Sequence, residues 1–278
     1  MIALKIGYSP CPNDTFIMAA LAEGRLASPL ILEPVLADVE TLNHWALEAR
    51  LHVTKLSFMA LGHVRDSYGL LSSGAALGWG CGPLVVGRPG QTLARVHSGV
   101  VASPGSLTTA ALLLSLYLGK QPNFRQMVFS DIMPAVARGE VDFGLVIHEG
   151  RFTLDSYGLE PLLDLGSWWE QETGHPVPLG GITVRRDLGF EVARMVDQTI
   201  RSSLLEAWGS PELTMSYVQS HAQEMDRDVV FQHIKLYVNS FSVNLSQQGR
   251  GAITLLFSKA EEAGFIPASS SPLMAVPV

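Results

Sequence analysis

Strand-like and helix-like patterns alternate through the first two thirds of the chain. Apolar strand patterns cover residues 3–8, 31–35 and 52–56, and a helical pattern follows each of them. A chain that alternates in this way is typical of an α/β protein with mainly parallel sheets. From residue 191 to about residue 263 the pattern is almost wholly helical, so we also predict a helical C-terminal region.

Two further apolar strand patterns, at residues 84–87 and 182–184, flank a second series of strands and helices. We interpret them as two crossover segments that join two lobes, with a ligand cleft between the lobes. The predicted lobe 1 consists of residues 1–87 and 184–278, and the predicted lobe 2 of residues 88–183.

The composition is that of a globular protein. Of the 278 residues, 47% are hydrophobic and 16% are charged, which supplies material for cores and excludes extended disorder. The net charge of −7 argues against nucleic acid as a main partner but allows a small anionic ligand. The longest apolar run, residues 110–118, is too short to span a bilayer, and the N-terminus lacks a signal-peptide pattern. We therefore expect a cytoplasmic protein without a membrane partner.

A stiff polar loop follows the first strand. Residues 9–16 read Ser-Pro-Cys-Pro-Asn-Asp-Thr-Phe, and the two prolines fix φ at their positions. We expect Asn13 or Asp14 to cap the helix that follows, and Ser9 and Asn13 to offer polar contacts to a ligand. The alternative is that the loop is only a well-capped turn between a strand and a helix.

Two other strand patterns lead into polar residues. Lys55 and Ser57 end the third strand, where the ammonium is suited to neutralise a carboxylate and the hydroxyl to hydrogen-bond it. Thr108 and Thr109 follow a Pro-Gly pair at the predicted start of a helix, and a helix N-terminus favours an anion. The alternatives are a lysine on an edge strand and an N-cap threonine.

His148 is the sharpest candidate for chemistry. It directly follows the apolar run Phe-Gly-Leu-Val-Ile, so we expect its ring to face the cleft. An imidazole with a pKa near neutrality is suited to act as a general base, and Glu149 is placed to orient it. The alternative is a histidine that makes a structural hydrogen bond at a strand end.

Other chemistries find less support in the sequence. The histidines show no His-Glu-x-x-His pairing and the two cysteines lie far apart, so we predict neither a metal site nor a disulfide framework. A Gly-x-Ser-x-Gly elbow is absent. Cys11 has no basic partner nearby in sequence, which favours packing or ligand contact over a nucleophilic role. Trp168 and Trp169 are candidates either for a pocket wall or for packing between lobes.

Several motifs occur together in a characteristic order. They are Ser-Pro-Cys-Pro-Asn-Asp-Thr-Phe at 9–16, Thr-Lys-Leu-Ser at 54–57, Gly-Pro-Leu-Val-Val at 82–86, Thr-Thr-Ala at 108–110 and Ile-His-Glu-Gly-Arg-Phe-Thr at 147–153. In this set the chain resembles the 1,4-dihydroxy-6-naphthoate synthases of the futalosine route to menaquinone.

The resemblance implies a two-lobed fold like that of type II periplasmic binding proteins. It also implies a carbon–carbon lyase that converts cyclic dehypoxanthine futalosine to 1,4-dihydroxy-6-naphthoate without a cofactor. By the family's motifs, His148 is the proton acceptor, and the substrate contacts are Lys55, Leu56, Ser57, Thr108 and Thr109.

Three rival interpretations stay open. The chorismate dehydratase of the same pathway resembles this fold, although the Ser-Pro-Cys-Pro-Asn-Asp loop favours the naphthoate synthase. A solute-binding protein that only captures a carboxylate would ordinarily carry an export signal. An effector-binding domain of a transcription regulator would ordinarily follow a helix-turn-helix.

Overall fold

The computed structural model describes residues 2–222 and 226–277, without the side chain of Glu149. Its strands are β1 (Ile2–Tyr8), β2 (Leu30–Leu36), β3 (Val53–Ser57), β4 (Tyr68–Leu70), β5 (Ala76–Gly78), β6 (Leu84–Gly87), β7 (Val100–Ser103), β8 (Asn123–Gln126), β9 (Phe143–Val146), β10 (Glu160–Asp164) and β11 (Val177–Arg185). Its α-helices are α1 (Pro12–Ala22), α2 (Val39–Leu47), α3 (Phe58–Val64), α4 (Thr109–Leu118), α5 (Phe129–Ala137), α6 (Leu165–Thr173), α7 (Phe190–Gly209), α8 (Pro211–His221), α9 (Arg227–Tyr237), α10 (Ser240–Val243) and α11 (Gln247–Glu262).

The first sheet has the strand order β2-β1-β3-β11-β4, and β5 also pairs with β11. Strand β1 runs parallel to both β2 and β3, as expected for strands joined by helices. Strand β11 comes last in chain order and pairs antiparallel with β3, β4 and β5. Strand β3 is therefore central and not an edge strand, which excludes the edge-strand alternative for Lys55.

The second sheet has the order β10-β6-β9-β7-β8. Here β7 runs parallel to β8 and β9, whereas β6 pairs antiparallel with β9 and β10. Each sheet thus combines parallel pairs of strands with antiparallel pairs. The predicted α/β class and the helical C-terminal region are confirmed.

The chain changes sheets earlier than the predicted lobe boundaries. Strand β6 was expected at the end of lobe 1, but it pairs with β9 and β10 in the second sheet. Strand β11 lies wholly in the first sheet, so the return occurs before Val177 and not at residue 184. The apolar runs predicted strands at these two places, but an apolar run carries no information about its pairing partner.

The helices cover both sheets. Helix α4 is buried along most of its length, and its leucines pack in one cluster with side chains of both sheets, such as Leu56 and Val85. Helix α1 packs against α7, α8 and α9 beside the first sheet. In the described ranges, no helix is both long and apolar enough to cross a membrane.

Gly82 marks a close approach between the segment before β6 and the start of α6. A Cβ at Gly82 would lie 2.2 Å from the backbone of Gly166, so the two backbones would have to separate. We expect Gly82→Ala to lower the free energy of unfolding by about 1–3 kcal/mol, as overpacking does. Urea unfolding of the purified variant measures this change.

Gly209 offers the matched control. It ends α7, and a Cβ there meets nothing within 4 Å. Gly209→Ala should therefore leave stability unchanged or raise it slightly, by up to about 1 kcal/mol. Equal losses in the two variants would contradict the close-approach explanation.

Candidate active site

The predicted site residues line one inner cavity of about 80 Å³ at the meeting of the two sheets. Among the residues that line it are Ser9, Asn13, Lys55, Leu56, Ser57, Thr108, Thr109 and His148. They come from the loop after β1 and the first turn of α1, from β3, from the start of α4 and from the segment after β9. The structure therefore brings together residues that are up to about 140 positions apart in sequence, because strand and helix ends converge where the sheets meet.

A second, outer cavity of about 400 Å³ adjoins the inner one. Its lining includes Pro10, Cys11, Asp38, Glu40, Thr41, His44, Gln126, Met127, Val128 and Phe129. Val39, Ile147 and His148 line both cavities. Of these three residues only His148 has a basic side chain, and its imidazole lies where the two cavities meet.

The start of α1 differs from the predicted cap. The helix begins at Pro12 with Cys11 at the N-cap, and no side chain caps it there. Asn13 and Asp14 lie inside the first turn, because the fixed φ of Pro12 suits the first helical position. Both side chains are buried. The backbone N–H and the hydroxyl of Ser9 both donate to Asp14 Oδ2, at 3.2 and 2.8 Å.

A buried ion pair joins this turn to the central strand. Lys55 Nζ lies 2.8 Å from Asp14 Oδ1, and the two side chains are only 6% and 5% exposed. Lys55 Nζ also donates to the carbonyl of Gly74 at 3.2 Å. Because an ammonium has three donors, one more N–H is available to a ligand in the inner cavity.

A residue that the sequence analysis missed continues this network. His233, on α9, has no solvent exposure, and its Nε2 lies 2.9 Å from Asn13 Oδ1. Asn13 in turn donates from Nδ2 to Asp14 Oδ1 at 2.8 Å. Burial, together with the nearby His148, holds the pKa of His233 well below its usual value, so its ring is neutral.

His148 follows β9 as predicted, but it opens a short 3-10 turn, residues 148–152, and does not end the strand. Its φ of 55° lies in the left-handed region, which histidine adopts more readily than most residues. Its ring is parallel to that of His233, with 5.8 Å between centroids, and meets Phe129 edge-on at 5.8 Å. The predicted orienting role of Glu149 concerns a side chain outside the described structure.

Helix α2 ties the two sheets together beside the cavity. Glu40 Oε1 accepts the backbone N–H of Leu107 at 3.0 Å, just before α4. Asn43 accepts the N–H of Ser57 at 3.0 Å and donates to the carbonyl of Leu107 at 3.3 Å. These contacts hold the start of α4 against the end of β3.

The two threonine hydroxyls are committed to the protein. Thr108 is the N-cap of α4: its hydroxyl accepts from Ala111 N at 3.2 Å and donates to the Gly105 carbonyl at 2.9 Å. The Thr109 hydroxyl accepts from Phe58 N at 2.9 Å and donates to the Leu179 carbonyl. What this helix start can offer an anion is its backbone N–H groups, which the first turn of a helix leaves without intrahelical partners.

The two cysteines and the tryptophan pair lie at three different cavities. Burial raises the pKa of Cys81, in the inner cavity, to about 12, so its thiol is protonated at neutral pH. Cys11 lines the outer cavity. Trp168 and Trp169 border a different cavity between α4, α6 and α11, so neither forms a wall of the inner or outer cavity. Within the described residues, no group of three or more His, Cys, Asp or Glu side chains is arranged to hold a metal.

Comparison with known sequences places this architecture in a family. The model of a family described as menaquinone biosynthesis matches residues 4–262. The chain belongs to this menaquinone biosynthesis family. It is 51% identical over 275 residues to a 1,4-dihydroxy-6-naphthoate synthase of Thermus thermophilus, covering 98% of this chain and 99% of the relative. It is 44% identical to a synthase of the same name from Streptomyces coelicolor, over 99% of this chain and 98% of that one.

Solved structures show the same architecture. A crystal structure of a protein from Archaeoglobus fulgidus superposes with a TM-score of 0.89 at 34% identity, over 95% of this chain and 98% of that one. The alkanesulfonate-binding protein of Xanthomonas axonopodis pv. citri superposes with a TM-score of 0.75 at 14% identity, over 100% and 98% of the two chains. The predicted fold of the periplasmic-binding-protein type is thereby confirmed.

The Lys55–Asp14 pair predicts a specific pattern of stability. Lys55→Met leaves a buried carboxylate without its cation, which costs about 3–5 kcal/mol. The double variant Asp14→Asn with Lys55→Met removes both charges and should recover most of that loss. Urea unfolding of the wild type, both single variants and the double variant forms the cycle; additive losses in the double variant would contradict a direct pair.

The buried, neutral His233 predicts a pH dependence of stability. In the unfolded chain a histidine takes up a proton below about pH 6.5, whereas in the folded protein the lowered pKa of His233 prevents this. Stability should therefore fall as pH drops below about 6.5, by up to about 1.4 kcal/mol per pH unit from this group. His233→Gln should reduce that slope in urea unfolding between pH 5 and pH 8, and the exposed His97→Gln should not.

Proposed function

We propose that the protein is a lyase that converts cyclic dehypoxanthine futalosine to 1,4-dihydroxy-6-naphthoate, with His148 as the general base. The names of the relatives that are 51% and 44% identical support this activity. The observation that carries the mechanism is the position of His148 between the inner and outer cavities. A molecule that extends through both cavities presents its middle to this imidazole.

The two cavities differ in electrostatic character. In the inner cavity the charge of Asp14 is balanced by Lys55, and the remaining ammonium donor, the Ser57 hydroxyl and the start of α4 suit a carboxylate. The described lining of the outer cavity contains Asp38 and Glu40 but no lysine or arginine. We therefore assign the aromatic carboxylate part of the substrate to the inner cavity and the sugar-derived part, with its hydroxyls, to the outer one.

The chemistry requires proton transfer and positioning. Elimination of the sugar-derived fragment breaks a carbon–carbon bond and needs a base that takes up a proton, and formation of the aromatic ring supplies driving force. His148 Nδ1 or Nε2 accepts the proton while the inner cavity holds the carboxylate.

The rival activities make different predictions for one assay. The purified protein is incubated separately with cyclic dehypoxanthine futalosine and with chorismate, and products are separated by liquid chromatography. Release of 1,4-dihydroxy-6-naphthoate from the first substrate alone is expected. Consumption of chorismate would favour the dehydratase, and binding without turnover of either compound would favour a carboxylate-binding protein.

His148→Asn tests the base directly. Asparagine tolerates the left-handed backbone of this position but offers no basic nitrogen, so the fold should persist. We expect the turnover rate to fall by about 10²–10⁴-fold. Product affinity, measured by calorimetry, should stay within about tenfold, or roughly 1.4 kcal/mol. The exposed His97→Asn is the control, and turnover near the wild-type rate in His148→Asn would refute the assignment.

A further inference from the structure

His233 lies in the middle of α9, far in sequence from every motif of the site. Its ring is stacked on that of His148, with the ring planes within 4° of each other and 5.8 Å between centroids. Phe129 meets the His148 ring edge-on at 5.8 Å. Two rings from different elements therefore flank the His148 imidazole.

The hydrogen bonds around His233 fix its tautomer. Asn13 donates from Nδ2 to the Asp14 carboxylate, so the amide oxygen must face His233. That oxygen only accepts, and Nε2 of His233 is therefore the protonated nitrogen. Through Asn13 and Asp14 the ring is connected to Lys55, the cation of the inner cavity.

We propose that His233 is a positioning residue for His148. The face of its ring orients the base, and the Nε2–H on the edge of its ring holds that ring to the Asn13–Asp14–Lys55 network. The proposal rests on the proposed role of His148 as the general base. It assigns two separable tasks to one side chain.

The arrangement suits a base in two ways. His148 sits on a short 3-10 turn with a left-handed φ, after the end of strand β9. A parallel neighbour limits its rotation, and small misplacements of a reacting group cost large factors in rate. Because His233 is neutral, it presents no positive charge to His148 when His148 accepts a proton.

Two substitutions separate the tasks. His233→Gln keeps an N–H donor that reaches Asn13 but removes the stacked ring. His233→Phe keeps a flat ring but removes the donor, which leaves the buried Asn13 oxygen without this hydrogen bond. His97→Gln, at an exposed histidine outside both cavities, controls for the loss of an imidazole as such.

We expect one variant to lose mainly kcat and the other mainly thermal stability. His233→Gln should lower kcat by about tenfold to a hundredfold, with KM within about threefold and Tm near that of the wild type. His233→Phe should keep more of the wild-type kcat but lower Tm by about 3–10 °C. If kcat instead falls in step with Tm, so that the Phe variant is worse in both, His233 has only a structural role and the proposal is wrong.

A measurement without turnover separates this proposal from the proposed function. In histidine-labelled protein, the ring proton resonance of His148 is assigned by its loss in His148→Asn. The shielding by the stacked ring is lost in His233→Gln and increased in His233→Phe, because a phenyl ring has a larger ring current than an imidazole, so the resonance should move in opposite directions in the two variants. Equal shifts in both variants would overturn the positioning role, whereas absence of turnover in the wild type would overturn only the lyase assignment.

Discussion

The buried pair between Lys55 and Asp14 is the interaction on which the site depends. Removing two charges from water costs several kcal/mol each unless other groups compensate. Ser9 and Asn13 supply that compensation to the carboxylate, and a backbone carbonyl supplies part of it to the ammonium. The first turn of α1 and the central strand β3 are thereby held together, and the polar loop after β1 is stiff because its side chains are bonded to one another.

Hydrogen bonds within the protein limit which polar groups the inner cavity can offer to a ligand. Polar residues at strand and helix ends are usually counted as ligand contacts, yet Ser9, Asn13, Thr108 and Thr109 use their side chains within the protein. In the proposed function, fewer groups face the ligand: the ammonium, the Ser57 hydroxyl, the start of α4 and the His148 ring. Their small number suits a rigid substrate, since a few fixed groups discriminate well only when the remaining surface is already complementary.

The sequence predicted the convergence of the site well and its internal bonding poorly. Lys55 and His148 were found because polar residues that follow apolar runs stand out, and alternation alone indicates that strand ends meet. His233 carries no such signal, because it lies within an amphipathic helix and its partner Asn13 is 220 residues away. The same limit explains the pairing of β6, since an apolar strand of four residues fits either sheet. That the Thr109 hydroxyl is already hydrogen-bonded within the protein follows only from the positions of Phe58 and Leu179.

A shared fold does not by itself distinguish a catalyst from a binding protein. The alkanesulfonate-binding protein, whose structure was solved with MOPS bound, has the same fold. Enclosure and anion capture need only backbone N–H groups and a cation, both of which this chain has at the inner cavity. Chemistry needs in addition a basic group with a fixed orientation beside the reacting bond. Here His148, with its left-handed φ after β9, places an imidazole between two cavities, and rings from two other elements flank it. That combination requires α9 to reach the site, so the helical C-terminal region belongs to the proposed catalytic machinery as well as to the fold.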